Sequence, residues 1–261
     1  MEDYCLTQVR SQDPDRFYCA LFLPAEPRRA VMALLAFNLE IAGIRERVSE
    51  PMLGRIRLQW WREALEALDQ GQRRDHELLI ELAALREQGI WPLKHLQDLI
   101  DARERDMESD PCADLNALEA YARETSTPLA RAALTILGID RDETREAVEK
   151  VALAWALIGL VRAVPFHRSM GRRLLPLPDP PAGDSAVVVG VTVRARLHLN
   201  RARALRKQVA KAAHPLLLPA LLVDDHLATL QGAGYDPENP ALMRKGRKRL
   251  SLLLHGWLGR Y

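Results

Sequence analysis

Glu40, Glu46 and Glu50 place three carboxylates within eleven residues, and converging carboxylates are what Mg²⁺ chemistry on a phosphate group requires. On a helix, residues three or four apart share a face. Separations of six and ten only partly do so, and Arg45 and Arg47 stand among these acids and offset their charge. The spacing leaves a shifted acidic cluster open and argues against it. Asn38 and Arg45 lie seven apart, on the helical face that also carries Val31, so an amide and a cation are expected side by side, in a setting that favours anions.

Arg162 sits in a strongly apolar stretch. A buried guanidinium must meet a carboxylate, reach solvent or bind an anion, and an ion pair is the first expectation. Trp60 and Trp61 are neighbours, so on a helix they point about 100° apart. Trp61 is expected in the core and Trp60 on a cavity wall or a partner surface, near Arg57.

Arg196, Arg203, Arg206, Lys207 and Lys211 fall on one broad side of a helical stretch, with Leu197, Leu205 and Val209 marking the other. Such a side is ordinarily solvated. Together with Arg244 to Arg249 it is also a candidate contact for anionic lipid headgroups or an acidic partner.

Other chemistries lack their residues. The histidines show no two-ligand helical spacing, and Cys5, Cys19 and Cys112 form no metal or disulfide pattern. No G-x-S-x-G elbow, phosphate loop or dinucleotide fingerprint is present. A net charge of +2, from 37 basic and 35 acidic side chains, gives no footprint for nucleic acid. The start Met1-Glu2-Asp3-Tyr4 has neither secretory nor transit character. Cytoplasmic residence is expected, with contact at the inner face of the membrane, or the mitochondrial matrix if a presequence has been removed. Apolar runs such as Val151 to Val161 are shorter than the roughly 20 residues that span a bilayer.

The elements behind these residues are helical. Apolar spacing predicts helices over 27–48, 52–69, 75–87, 92–107, 114–125, 128–137, 141–164, 187–213 and 215–231. The β-branched run from Ala186 to Val193 has no partner strand and reads as a helix start. Residues 177–185 read as a surface loop within one domain covering 1–261.

Asp15-Arg16-Phe17-Tyr18, Leu21-Phe22-Leu23-Pro24 and Arg28 through Phe37 resemble the opening of squalene/phytoene synthases. Arg162 through Gly171-Arg172-Arg173-Leu174-Leu175-Pro176 resembles the family's second motif region, and Gly234-Tyr235-Asp236-Pro237 its C-terminal portion. The resemblance implies an all-α, single-domain isoprenoid-synthase-like bundle around a central cavity. In that cavity two prenyl diphosphates are joined with Mg²⁺ held by two acidic motifs.

The family's acids would fall on Ala42, Gly43 and Glu46 in the first region and on Ala163 and His167 in the second, leaving only Glu46 acidic. Ile56 through Glu63 and Ala154 through Arg162 resemble a branch holding a mitochondrial complex I assembly factor and its bacterial relatives. That resemblance implies a protein acting by binding, with no cofactor or catalytic residue. Its partner would be a protein in respiratory-complex assembly, and an isoprenoid or lipid ligand is a further candidate. Asn38, Glu40, Arg45, Glu46, Arg57, Trp60, Arg162 and Arg172 are the candidate cavity residues. The alternative it leaves is a prenyltransferase using Mg²⁺ on the shifted acids.

Overall fold

The computed structural model describes residues 4–178, 183–243 and 261. Among them there is no strand, as the apolar spacing predicts. Twelve α-helices follow in order: α1 Tyr4–Gln12, α2 Pro14–Ala20, α3 Ala25–Ala42, α4 Pro51–Asp69, α5 Glu77–Glu87, α6 Leu93–Ala102, α7 Leu115–Ile136, α8 Asp142–Arg162, α9 Val164–Ser169, α10 Ser185–Ala204, α11 His214–Leu217 and α12 Pro219–Gly232. No helix among the described residues is long and apolar enough to cross a membrane.

The chain divides into two compact units, Met1–Glu108 with Pro128–Arg141, and Ser109–Thr127 with Asp142–Tyr261. In the first, α3 is the central element. Ala30 to Asn38 are buried without interruption, the signature of a helix enclosed on all sides. It packs against α1 and α5, while α4 packs against α6. Leu58, Trp61, Leu65 and Leu68 of α4 are buried, the face their spacing predicts. Aromatic rings fill this core, with Phe37 and Trp61 meeting edge to face at 5.5 Å.

In the second unit α8 is central and packs mainly on α10 and α12. Val151, Leu153, Ala154, Leu157, Ile158 and Val161 of α8 are fully buried. Gly190 permits close approach of α10 to α7, because a Cβ there would lie 2.5 Å from Leu115 Cδ1. Charged groups pin α10 at its flanks. Arg201 grips Glu146 through two bonds of 2.6 and 2.9 Å. Glu119 accepts from Arg194 at 2.7 Å and lies 3.1 Å from His198 Nε2. Burial alone would raise the Glu119 pKa, but Arg194 and His198 outweigh it and hold the carboxyl below its usual range.

Candidate functional site

The first motif region ends a helix. α3 stops at Ala42, six residues before the expected Val48, and Arg47 closes the end. The Arg47 Nε donates to Gly43 O at 3.1 Å, its Nη1 to Glu40 Oε2 at 3.0 Å, and its Nη2 to Glu40 O. This satisfies carbonyls that a helix leaves open at its C-terminus and sets a cation at the negative end of the dipole.

The placement corrects one expectation. Arg45 lies past the helix in a 3₁₀ turn and donates to Val48 O at 3.3 Å. Asn38 is 6% exposed on α3 itself. Amide and cation therefore do not share the helical face that seven-residue spacing predicts. Glu40 is held by Arg47 and Glu46 and Glu50 are exposed, and among the described residues these carboxylates form no group that could hold a metal. A Cβ at Gly43 would sit 3.2 Å from Arg47 Nη2 and 3.2 Å from Leu39 O. A side chain at position 43 would push the Arg47 guanidinium aside by a few tenths of an ångström.

The second region is also a helix break. α8 ends at Arg162 and α9 begins at Val164, where sequence periodicity predicts one helix through Val164. Pro165 has no N–H to offer the carbonyl of Val161, so the ladder cannot continue unchanged. Ala163 and His167 are half-buried. The Arg162 guanidinium lies over the Trp155 ring at 5.6 Å, and that ring is 6.1 Å from His226. Burial, reinforced by Arg162 and opposed by Asp225, pushes His226 down to about 4. A cationic and aromatic cluster thus adjoins Ala163 at the end of α8.

Beside it opens a cavity of about 240 Å³, lined by Leu160, Val164, His167, Arg172, Leu174 and Asp184 among others. Its rim arginines are engaged by the protein itself. Asp184 accepts from Arg168 at 3.0 Å and from Arg173 at 2.6 Å. Arg173 also donates to Leu175 O and Pro176 O.

Magnesium seeks several hard oxygen ligands. Among the described residues, no group of three His, Cys, Asp or Glu side chains could hold a metal. Neither alanine, glycine and an exposed glutamate in the first region nor alanine and an imidazole in the second fits the cluster that the resemblance implies.

Two surfaces complete the inventory. On α4, Trp61 is 3% exposed and Trp60 36%. The Arg74 guanidinium covers the Trp60 ring at 5.5 Å. Arg57 is exposed on the same helix. Met52, Leu53 and Ile56 are exposed with Trp60, a second apolar edge that the reading of core spacing passes over. The four-residue recurrence of Met52, Ile56 and Trp60 was the signal available.

The basic stretch is not one helix to residue 213 as expected. α10 ends at Ala204, Arg206–Gln208 and Lys211–Ala213 are separate 3₁₀ turns, and Leu197 is exposed beside Arg196 instead of facing inward with Leu205 and Val209. Arg203 is paired with Asp224. The run from Arg244 to Arg249 lies outside the described residues.

The family model for squalene/phytoene synthase matches residues 9–253. The chain belongs to that family. Among individual proteins it is similar to the NADH dehydrogenase (ubiquinone) complex I assembly factor 6 of Bos taurus, at 31% identity over 99% of this chain and 82% of the relative. The Homo sapiens protein of that name is 29% identical over 100% and 83%. Among solved structures, a squalene synthase from Alicyclobacillus acidocaldarius superposes with a TM-score of 0.76 at 21% identity, covering 89% of this chain and 94% of that one. A ligand-bound dehydrosqualene synthase gives 0.80 at 15% identity, covering 98% and 94%. These two likenesses establish the fold.

Proposed function

We propose that the chain acts by binding, without prenyl-transfer chemistry, as an assembly factor for the NADH dehydrogenase complex. The observation that carries this reading is Arg47 seated on the end of α3, with Ala42 and Gly43 in place of two family acids. Similarity to the bovine assembly factor over 99% of the chain supports it. Without converging carboxylates nothing neutralises a diphosphate leaving group, so the barrier to ionisation stays high.

The exposed edge of α4 is the contact for a protein partner of that complex. Trp60 under Arg74, with Ile56 beside it, has the aromatic and arginine character on which interface energy concentrates. The apolar walls of the cavity by α9, Leu160, Val164 and Leu174, suit the tail of an isoprenoid-like or lipid ligand. Both units serve one functional domain, since the family model spans residues 9–253. The working position is peripheral, at the inner face of the membrane in the cytoplasm or its mitochondrial equivalent.

Complementation tests the reading. Cells lacking this protein should lose membrane NADH dehydrogenase activity and regain it with the wild type and with Glu46→Gln alike. Ile56→Asp combined with Trp60→Ala should lower restoration by about tenfold, as expected for loss of an interface anchor. Restoration that requires an intact Glu46 would point to chemistry instead.

A further inference from the structure

The second unit carries an exposed apolar stripe. Val189, Val193 and Leu197 follow one another at four-residue intervals along α10 and are 37%, 53% and 61% exposed. Residues at this spacing stack on one helical face. Arg196 is exposed next to Leu197.

Cations on this part of the chain divide into two sets. Arg194, Arg201 and Arg203 are taken by Glu119, Glu146 and Asp224. Arg196, Arg206, Lys207 and Lys211 are exposed, and among the described residues no carboxylate pairs with them. They fall beside the end of the stripe and on the two 3₁₀ turns that follow it. The local field is positive. Burial lowers the His214 pKa, and Arg206 and Lys211 lower it further.

We propose that the α10 stripe and the two 3₁₀ turns after it are a docking surface for an anionic lipid bilayer, with Val189, Val193 and Leu197 entering the headgroup boundary and Arg196, Arg206, Lys207 and Lys211 meeting lipid phosphates. This names the surface behind the peripheral position inferred above and rests on that reading. An exposed apolar stripe on a single helix, ending in cations without carboxylate partners among the described residues, matches an interface that is apolar below and negative above.

Sedimentation of the full chain with vesicles tests it. Vesicles of phosphatidylcholine with a third phosphatidylglycerol should carry the protein down at low salt, and pure phosphatidylcholine should carry little. Reversing three cations (R206E, K207E, K211E) should reduce partition more than about tenfold, given the contribution of each cation near such a surface. The pair V193E and L197E should reduce it independently. All five positions are exposed, but Arg206 also lies 6.0 Å over the Tyr261 ring, so each variant is first melted beside the wild type to show that it is folded. Wild-type binding that both variants keep would overturn this surface while leaving peripheral attachment standing. No binding by the wild type to anionic vesicles would overturn both. Variants that bind vesicles normally yet fail to restore NADH dehydrogenase activity would assign the surface to an acidic protein, and also overturn the proposal.

Discussion

Trp61→Ala should destabilise the protein by about 3–5 kcal/mol, the range for removing a large buried aromatic, whereas Trp60→Ala should cost under about 1 kcal/mol. The two residues are adjacent, but Trp61 is 3% exposed and its neighbour 36%. Trp61 meets Phe37 edge to face at 5.5 Å, Trp60 at 5.0 Å and His76 at 5.1 Å. His76 is itself fixed, since its Nδ1 accepts the N–H of Leu78 at the start of α5. Deleting the Trp61 ring therefore opens a cavity between α3, α4 and α5 that its rigid neighbours cannot fill. Trp61→Phe should retain much of the contact. Urea denaturation of the three variants measures this, and equal losses at positions 60 and 61 would contradict the packing.

Acidification should expose the second large effect, at His226. Its folded pKa is pushed from 6.5 down to about 4 by burial and Arg162. Above pH 6.5 both the folded and unfolded states hold a neutral ring, so its contribution is intact. As pH falls below 6.5 the unfolded chain takes up a proton that the folded chain refuses, and stability declines until the folded pKa is reached. Between pH 7 and 5 this group accounts for a loss of about 2 kcal/mol. His226→Gln should remove that share of the pH dependence, read from urea midpoints at the two pH values. Identical slopes for wild type and variant would refute the assignment. His198 and His214, whose pKa values are also lowered chiefly by burial, add loss of the same sign.

Apolar periodicity made most of the helices legible, because each buries one face against a neighbour. α4 ran as read, with Leu58, Trp61, Leu65 and Leu68 inward. Ala186 to Val193 proved helical despite its β-branched residues, since burial against α8 outweighs their propensity. The short α1 and α2 were not read from periodicity.

Boundaries fared worst where a single local contact decides them. Apolar spacing predicts two helices over 114–125 and 128–137, but α7 is continuous and runs through Pro128. Thr125, Ser126 and Thr127 hydroxyls bond back to the carbonyls of Tyr121, Ala122 and Arg123, supporting the turn that precedes the proline. At the candidate site, the lost acids could be read directly. The return of Arg47 onto Gly43 and Glu40 could not, because it depends on where α3 ends. Pairing of Arg203 with Asp224, 21 residues away, was equally invisible to helical spacing.

The measurement closest to the central claim is diphosphate release from farnesyl diphosphate by the purified chain with Mg²⁺. Release no faster than in the protein-free control, unchanged by Glu46→Gln, is the expected result. Sustained turnover that Glu46→Gln abolishes would mean that the one acid kept from the first motif region, in the 3₁₀ turn after α3, still supports catalysis, and that a binding role does not describe this protein.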